Sequence, residues 1–276
     1  MSSRSLRNSP RSIITGAGSG FGRALALELA RCRGSLVLSD INLTGLEETA
    51  SLARSAGATS VTTLRCDVSQ LADVEALATA AGSAPIDLVV NNAGISCGGL
   101  VGEVSIADWR KTLDVDLWGV IYGCHVFTPI LRRQARGAIL NVASAAGLLA
   151  APRMAPYNVS KAGVVSLSET LSAELRGAGV GVTVLCPTFF RTNIAVGGLF
   201  ADEHTKRLAE KMVNRGRPVE EVVAAALHAI EHNELYCLPM ADARWMWRTK
   251  RALPGSFHSL LHLADKFIYK KRKQTS

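Results

Sequence analysis

The feature that most limits what this chain can fold into is a regular alternation of short apolar runs with stretches of helical length. Ser12 to Thr15, Ser35 to Ser39, Val61 to Arg65, Ile86 to Val90, Gly137 to Val142, Val180 to Leu185 and Leu235 to Leu238 read as strands. Arg23 to Arg33, Thr44 to Ala56, Leu71 to Gly82, Ile106 to Leu131, Tyr157 to about Arg176 and Pro218 to His232 read as helices. Strands alternating with helices of about 10–15 residues specify an α/β fold, a doubly wound parallel sheet with helices on both faces. About seven strands are expected from the runs above. Pro129 is expected to end or kink the long helix, whereas Pro156 suits a first helical turn. In such sheets ligands bind past the carboxyl ends of the strands.

Gly16-Ala17-Gly18-Ser19-Gly20-Phe21-Gly22 joins the first strand to its helix. In that context glycines let the backbone turn sharply and approach a pyrophosphate resting on the helix N-terminus. The spacing, Gly16-x-x-x-Gly20-x-Gly22, departs from the usual GxGxxG, and a tight βα turn is the other reading. Asp40 ends the second strand 20 residues past Gly20. A carboxylate there accepts bonds from both adenosine ribose hydroxyls and repels a 2′-phosphate. Ser19 and Ile41 are neutral, so the pattern favours NAD over NADP. Alternatively, Asp40 caps the next helix.

Tyr157 and Lys161 stand four residues apart on one helix and point the same way. An ammonium held beside a phenol favours the phenolate and is expected to draw its pKa from about 10 toward neutrality. A tyrosine so poised exchanges protons at working pH. The same spacing also fits an amphipathic tyrosine beside a solvated lysine.

Taken in order, TGAGSGFG, the strand-end Asp40, CDV, NNAG, Ser144, YNVSK and a CP turn resemble the short-chain dehydrogenase/reductase family over about residues 12–238. Ser144 precedes Tyr157 by 13 residues, the spacing usual in that family. The resemblance implies a single Rossmann-type domain in which Tyr157 is the general acid/base. Lys161 would lower its pKa and bond the nicotinamide ribose, and Ser144 would bond the substrate oxygen. Gly16, Ser19, Gly20, Phe21 and Gly22 would hold the pyrophosphate side, Asp40 the adenosine ribose, and Asp67 and Val68 the adenine. Asn92, Ala93 and Gly94 would line the ribose path, and Pro187 and Thr192 would meet the nicotinamide end.

Two positions depart from the family pattern. Asp116 stands where members carry an asparagine that helps hold a water against the lysine for proton relay. The relay role is assigned to Asp116 here, although it brings no N–H donor and, if ionised, adds a charge near Lys161; the other reading is a helix-distorting side chain. Thr188 stands where Pro-Gly is commoner and adds side chain beside the nicotinamide.

The expected domain layout is a flexible N-terminal arm over residues 1–11, an NAD-binding catalytic domain over 12–239 and a basic, aromatic and amphipathic extension over 240–276. From Arg244 onward there are nine Lys/Arg and a single acid, Asp265, so the whole net charge of +8 lies there. The first 243 residues balance 22 basic against 22 acidic, unlike a uniformly basic nucleic-acid binder, and no nucleic acid is expected. Trp245-Met246-Trp247 among cations, a stripe at Leu260, Leu261, Ala264, Phe267 and Ile268, and Lys270 to Lys273 suit peripheral contact with an anionic membrane. The alternative is that the tryptophans cover the substrate pocket or a subunit contact.

Six scattered cysteines without a CxxC pair favour reduced thiols in a cytoplasmic protein and no metal site. The pocket walls are expected at Ile95 to Gly99, Ala146 to Met154 and Phe189 to Phe200, apolar except for Arg153 and Arg191. The other reading of Phe189, Phe190 and Leu199 is the closure of a lid. The expected activity is NAD-dependent interconversion of a hydrophobic secondary alcohol and its ketone. An NADPH-dependent carbonyl reductase and a cofactor-binding scaffold without chemistry are the competing readings. The helices over 106–131 and 157–176 resemble the pair that family members use to assemble, implying a homodimer or homotetramer.

Overall fold

A computed structural model describes residue 6 and residues 8–269. The strands are β1 (Arg11–Thr15), β2 (Ser35–Asp40), β3 (Ser60–Arg65), β4 (Leu88–Asn91), β5 (Cys97–Gly98), β6 (Ala138–Val142), β7 (Gly181–Leu185), β8 (Leu199–Phe200) and β9 (Tyr236–Cys237). Seven of them form one parallel sheet in the order β3-β2-β1-β4-β6-β7-β9; β5 and β8 pair apart from it. The helices are α1 (Gly20–Arg31), α2 (Leu43–Ser55), α3 (Leu71–Ala81), α4 (Ile106–Leu113), α5 (Gly119–Gln134), α6 (Ala145–Leu149), α7 (Ala155–Glu174), α8 (Glu203–Asn214), α9 (Val219–Glu231), α10 (Ala241–Ala252) and α11 (Pro254–Tyr269). The doubly wound sheet expected from the strand and helix periods is therefore present. Chain direction across the sheet reverses between β1 and β4, which opens a crevice at their carboxyl ends.

The inner strands β4, β6 and β7 are buried at every residue, as continuous apolar runs covered on both sides should be. β3, at one edge, alternates between exposed and partly covered positions. Helices α1, α2 and α9 pack together, and α3 and α7 each pack against α5. Local chemistry sets several helix starts. Asn42 accepts from the Gly45 N–H at 3.2 Å to cap α2, and Ser105 and Asp202 cap α4 and α8 in the same way.

Beneath the crevice a buried polar chain crosses the sheet. Asn91 Nδ2 donates to Asn141 Oδ1 at 2.8 Å, and Asn141 Nδ2 donates to Ser168 Oγ at 3.0 Å. Helix α5 rests on this chain through Gly123, where a Cβ would stand 2.0 Å from Asn91 Oδ1.

The structure corrects several expectations. The arm is anchored at its inner end: Leu6 is 3% exposed within the core, Ser9 N–H donates to the Cys32 carbonyl, and Arg11 already opens β1. Residues 1–5 and 7 of that arm, and Lys270 to Lys273, lie outside the described residues, as do the side chains of Phe267 and Ile268. Pro129 does not end the long helix, which runs on through α5 to Gln134. There Gln134 accepts from the Ile86 N–H and donates to the Arg136 carbonyl, and Ala135 turns left-handed at φ +50°. Between α4 and α5 lies a π-helical turn, Asp114–Trp118, and α6 is a further helix that the sequence periods do not announce.

The C-terminal extension folds back onto the body. Trp247 stacks on Tyr236 at 4.9 Å, and Phe257 is buried in the core. Among the described residues no helix is long and apolar enough to cross a membrane.

Replacing Gly123 with Ala should force α5 off the asparagine chain. The expected cost is about 2 kcal/mol or more, read as a lower urea midpoint with unchanged slope. An unshifted midpoint would contradict this seating of α5.

Candidate active site

The glycine turn is shaped from both sides by close backbone contacts. Gly16 and Gly20 adopt φ +66° and +53°, a region open mainly to glycine. A Cβ on Gly16 would lie 2.7 Å from Ala93 Cα, and one on Gly22 would lie 2.3 Å from the Gly16 carbonyl oxygen. Asn92 acts as the strut: its Nδ2 donates to the carbonyls of Thr15 and Gly16 at 2.8 and 2.9 Å. Thr15 Oγ1 accepts the N–H groups of Asn92 and Ala93. The TGAGSGFG motif begins with Thr15, but its pattern assigns that residue no role; a hydroxyl just before a glycine turn is its visible signal.

Asp40 Oδ2 accepts the Gly18 N–H at 2.8 Å, and its Oδ1 accepts the Asn42 N–H at 2.8 Å. Because Asn42 caps α2, the helix-cap reading of Asp40 gives way. Asp67 accepts from Ser69 through both N–H and Oγ–H, and Val68 packs beneath Gly119. Thr192 is brought beside Gly20, with its Cγ2 3.4 Å from where a Cβ there would be, and Phe190 meets Phe21 edge-on at 6.5 Å. The residues present fit a dinucleotide. The turn is a backbone concavity that a Cβ would fill, and α1 opens with no acid in its first turn and no side chain capping its N–H groups.

The groups to which the resemblance assigns proton handling converge at the carboxyl end of β6. Ser144 lies just past that strand and caps α6, accepting the Ala146 N–H at 3.1 Å and lying 3.4 Å from the Pro187 carbonyl. Tyr157 and Lys161 sit on the first turns of α7, 9% and 2% exposed. Lys161 Nζ donates to the Val142 carbonyl at 3.1 Å and lies 5.6 Å from the centre of the Tyr157 ring. The π-helical turn delivers Asp116 to the same place, fully buried. Its Oδ1 accepts the Ile95 N–H at 2.7 Å; its Oδ2 has no hydrogen-bond partner among the described residues and faces Lys161 Nζ at 3.7 Å. π-turns often mark functional positions. A Cβ on Gly94 would lie 3.2 Å from Asp116 Oδ1 and 3.4 Å from Lys161 Nζ, so that residue too belongs to the cluster.

The electrostatics correct one expectation. Burial pushes the Tyr157 phenol above its usual range, the Asp116 carboxylate pushes the same way, and the Ser144 hydroxyl pulls it down. Helical spacing places the ammonium near the ring but says nothing of desolvation, which dominates here. Burial likewise raises the Asp116 carboxyl, against the pull of Lys161 and of its hydrogen bonds. A protonated Asp116 supplies an O–H donor where an aspartate has none, and relieves its repulsion of a Tyr157 phenolate.

The profile of the short chain dehydrogenase family matches residues 11–198. The chain is 30% identical to epidermal retinol dehydrogenase 2 of Homo sapiens over 266 residues, 95% of this chain and 86% of the relative. It is 36% identical to 11-beta-hydroxysteroid dehydrogenase A of Sesamum indicum over 191 residues, 68% of this chain and 54% of the relative. Among solved structures, a short chain dehydrogenase/reductase from Burkholderia phymatum in complex with NAD superposes with TM-score 0.84 at 37% identity, covering 90% of this chain and 95% of that one. A short-chain dehydrogenase from Sphingobium yanoikuyae in complex with NADPH gives 0.75 at 28%, covering 92% and 95%.

The raised Asp116 carboxyl has a signed consequence. The folded state holds a proton that the unfolded chain releases just above 3.8, so this group's contribution to stability falls as pH rises from there toward its folded pKa. Asp116→Asn removes that loss. The variant should gain stability relative to wild type as pH rises above 3.8 in urea unfolding. A difference that stays constant with pH would contradict a raised carboxyl.

Proposed function

The chain belongs to the short-chain dehydrogenases, oxidoreductases acting on CH–OH groups, and from that premise we propose that it interconverts a hydrophobic secondary alcohol and its ketone with NAD. The observation that carries this reading is the convergence of Ser144, Tyr157 and Lys161 at one strand end, beside the glycine turn. When bound, the nicotinamide supplies the hydride acceptor and, in its oxidised form, a positive charge. Ser144 Oγ holds the substrate oxygen, and Tyr157 Oη takes the hydroxyl proton in oxidation or returns it in reduction. Lys161 keeps a positive charge against the phenolate, and Asp116 stands behind it as the relay group. As the cluster stands, the phenol is neutral, ready to donate in the reductive direction.

Asp40 supports NAD: its carboxylate is held against the glycine turn by the Gly18 N–H, where it would meet the adenosine ribose. Arg23, the cation nearest that turn, bonds the Gly18 carbonyl and is tied to Glu48 at 2.6 Å. The competing reading, an NADPH-dependent carbonyl reductase, is favoured by the likeness to the NADPH complex. The apolar walls at 95–99, 146–154 and 189–200 support a lipophilic substrate, as do the steroid and retinol dehydrogenase relatives.

Two partner proposals accompany this reading of a cytoplasmic enzyme. Exposed Trp118 and Val159 on the long helices suit pairing into a homodimer or homotetramer. Exposed Trp245, Leu253, Leu260 and Leu263 beside the tail's cations suit an anionic membrane surface. Liposome co-sedimentation of the intact chain against one ending at Pro254 tests the second; equal pelleting of both removes it.

A panel of lipophilic secondary alcohols with NAD⁺, followed by NADH absorbance, tests the activity. Tyr157→Phe should lower kcat by about 10²–10⁴-fold. Asp116→Ala should lower it about ten-fold or more with NAD binding intact. Turnover confined to small polar alcohols or sugars would refute the lipophilic assignment, and a lower KM for NADP would reverse the cofactor choice.

A further inference from the structure

The C-terminal helices are fastened to the body at three points, two on the segment 146–154 that the sequence assigns to the pocket wall and one at Thr188, just before the segment 189–200. Thr188 Oγ1 donates to Asp242 of α10 at 3.3 Å. Lys250 Nζ donates to the Leu148 carbonyl at 2.7 Å, at the end of the short helix that Ser144 caps. Arg153 grips Asp265 of α11 with two nitrogens, Nε to Oδ1 at 2.7 Å and a terminal nitrogen to Oδ2 at 3.4 Å. Asp265 is the one acid after residue 243 in a stretch with nine cations.

Arg153 is an unusual residue to find at this junction. It adopts φ +62°, a conformation costly for a long side chain and held only where surroundings impose it. Its carbonyl accepts the Gly99 N–H at 2.7 Å, and Met154 bridges Gly99. Cys97 and Gly98 pair in turn with Leu199 and Phe200, and the Ala201 N–H donates to the Gly98 carbonyl. Arg153 therefore ties its own segment to residues 95–99 through its backbone and to the tail through its guanidinium, and residues 97–98 in turn hold 199–201. The pair is only 18% and 21% exposed, and its two-pronged geometry is the strong form of such a contact. An exposed single-contact pair would carry little.

We propose that the Arg153–Asp265 pair is a specificity-determining latch: by fixing residues 95–99, 146–154 and 199–201 as one wall, the C-terminal helix sets the length and shape of the apolar part of the substrate cleft. Arg153 lies four residues before Tyr157, so the wall it fixes borders the proton-transfer site. Thr188 makes a separate tie, its hydroxyl turned to α10. The inference rests on the alcohol dehydrogenase reading above.

The test uses the full chain and three variants: Asp265→Ala, Arg153→Asn, which tolerates the left-handed backbone, and the swap Arg153→Asp with Asp265→Arg. Amide hydrogen exchange reads the wall directly. Asp265→Ala and Arg153→Asn should speed exchange at residues 95–99 and 146–154 by about ten-fold. With secondary alkyl alcohols of increasing length, both should raise KM for long chains by about ten-fold, leave short chains and NAD nearly unchanged, and alter kcat little. The swap should recover most of both effects. Unchanged exchange in either single variant overturns the latch. So does a KM increase equal for short alcohols, long alcohols and NAD, or a swap that recovers nothing. If the wild type oxidises no alcohol, the functional reading falls, while the exchange measurement still decides whether the latch exists.

Discussion

The burial of one ammonium governs the active-site end of this fold. An isolated charge in a protein interior costs several kcal/mol unless neighbours compensate it. Lys161 is 2% exposed and has the Val142 carbonyl and the Asp116 carboxyl to answer it. Meeting the first requires α7 to press against the end of β6, and meeting the second requires the long helix to turn a carboxyl inward. Glycines remove obstacles on both routes: a Cβ on Gly147 would lie 2.5 Å from the Lys161 backbone, and one on Gly163 would lie 2.8 Å from Leu117. Tyr157, one helical turn before Lys161, inherits its place from that packing.

Much of this is legible in the residues. Strand and helix periods specify the sheet, since parallel strands buried on both faces must read as apolar runs. The glycine turn, Asp40, and Ser144 13 residues ahead of Tyr157 are local patterns whose context the sheet supplies. Less legible is anything set by three-dimensional neighbours. Tyr157 and Lys161 are near one another as the spacing says, yet desolvation reverses the expected direction of the phenol's pKa. Asn92 reads as a residue facing a ribose, but its amide is committed to the Thr15 and Gly16 carbonyls. Pro129 reads as a stop, but side-chain bonds from Gln134 hold the next turn in place.

The tail shows the same division between composition and contact. Its charge marks it as a separate extension, and the body without it balances to zero. Two of its aromatic residues nevertheless belong to the body: Trp247 lies against Tyr236 on one side and beneath the Arg251 guanidinium at 5.2 Å on the other, and Phe257 is buried in the core. Leu253, between α10 and α11, and Leu260 and Leu263 of α11 remain exposed.

The π-turn at Asp114–Trp118 leaves a trace in the length of the chain itself. A π-turn takes up one residue more than regular pitch needs while the helix on either side keeps its facing, and deleting that residue would let the helix relax to regular pitch. The wide turn that aims Asp116 at the lysine would close, and the carboxyl would lose its place there. The additional residue thus turns one acid inward without unseating α5 from the asparagines.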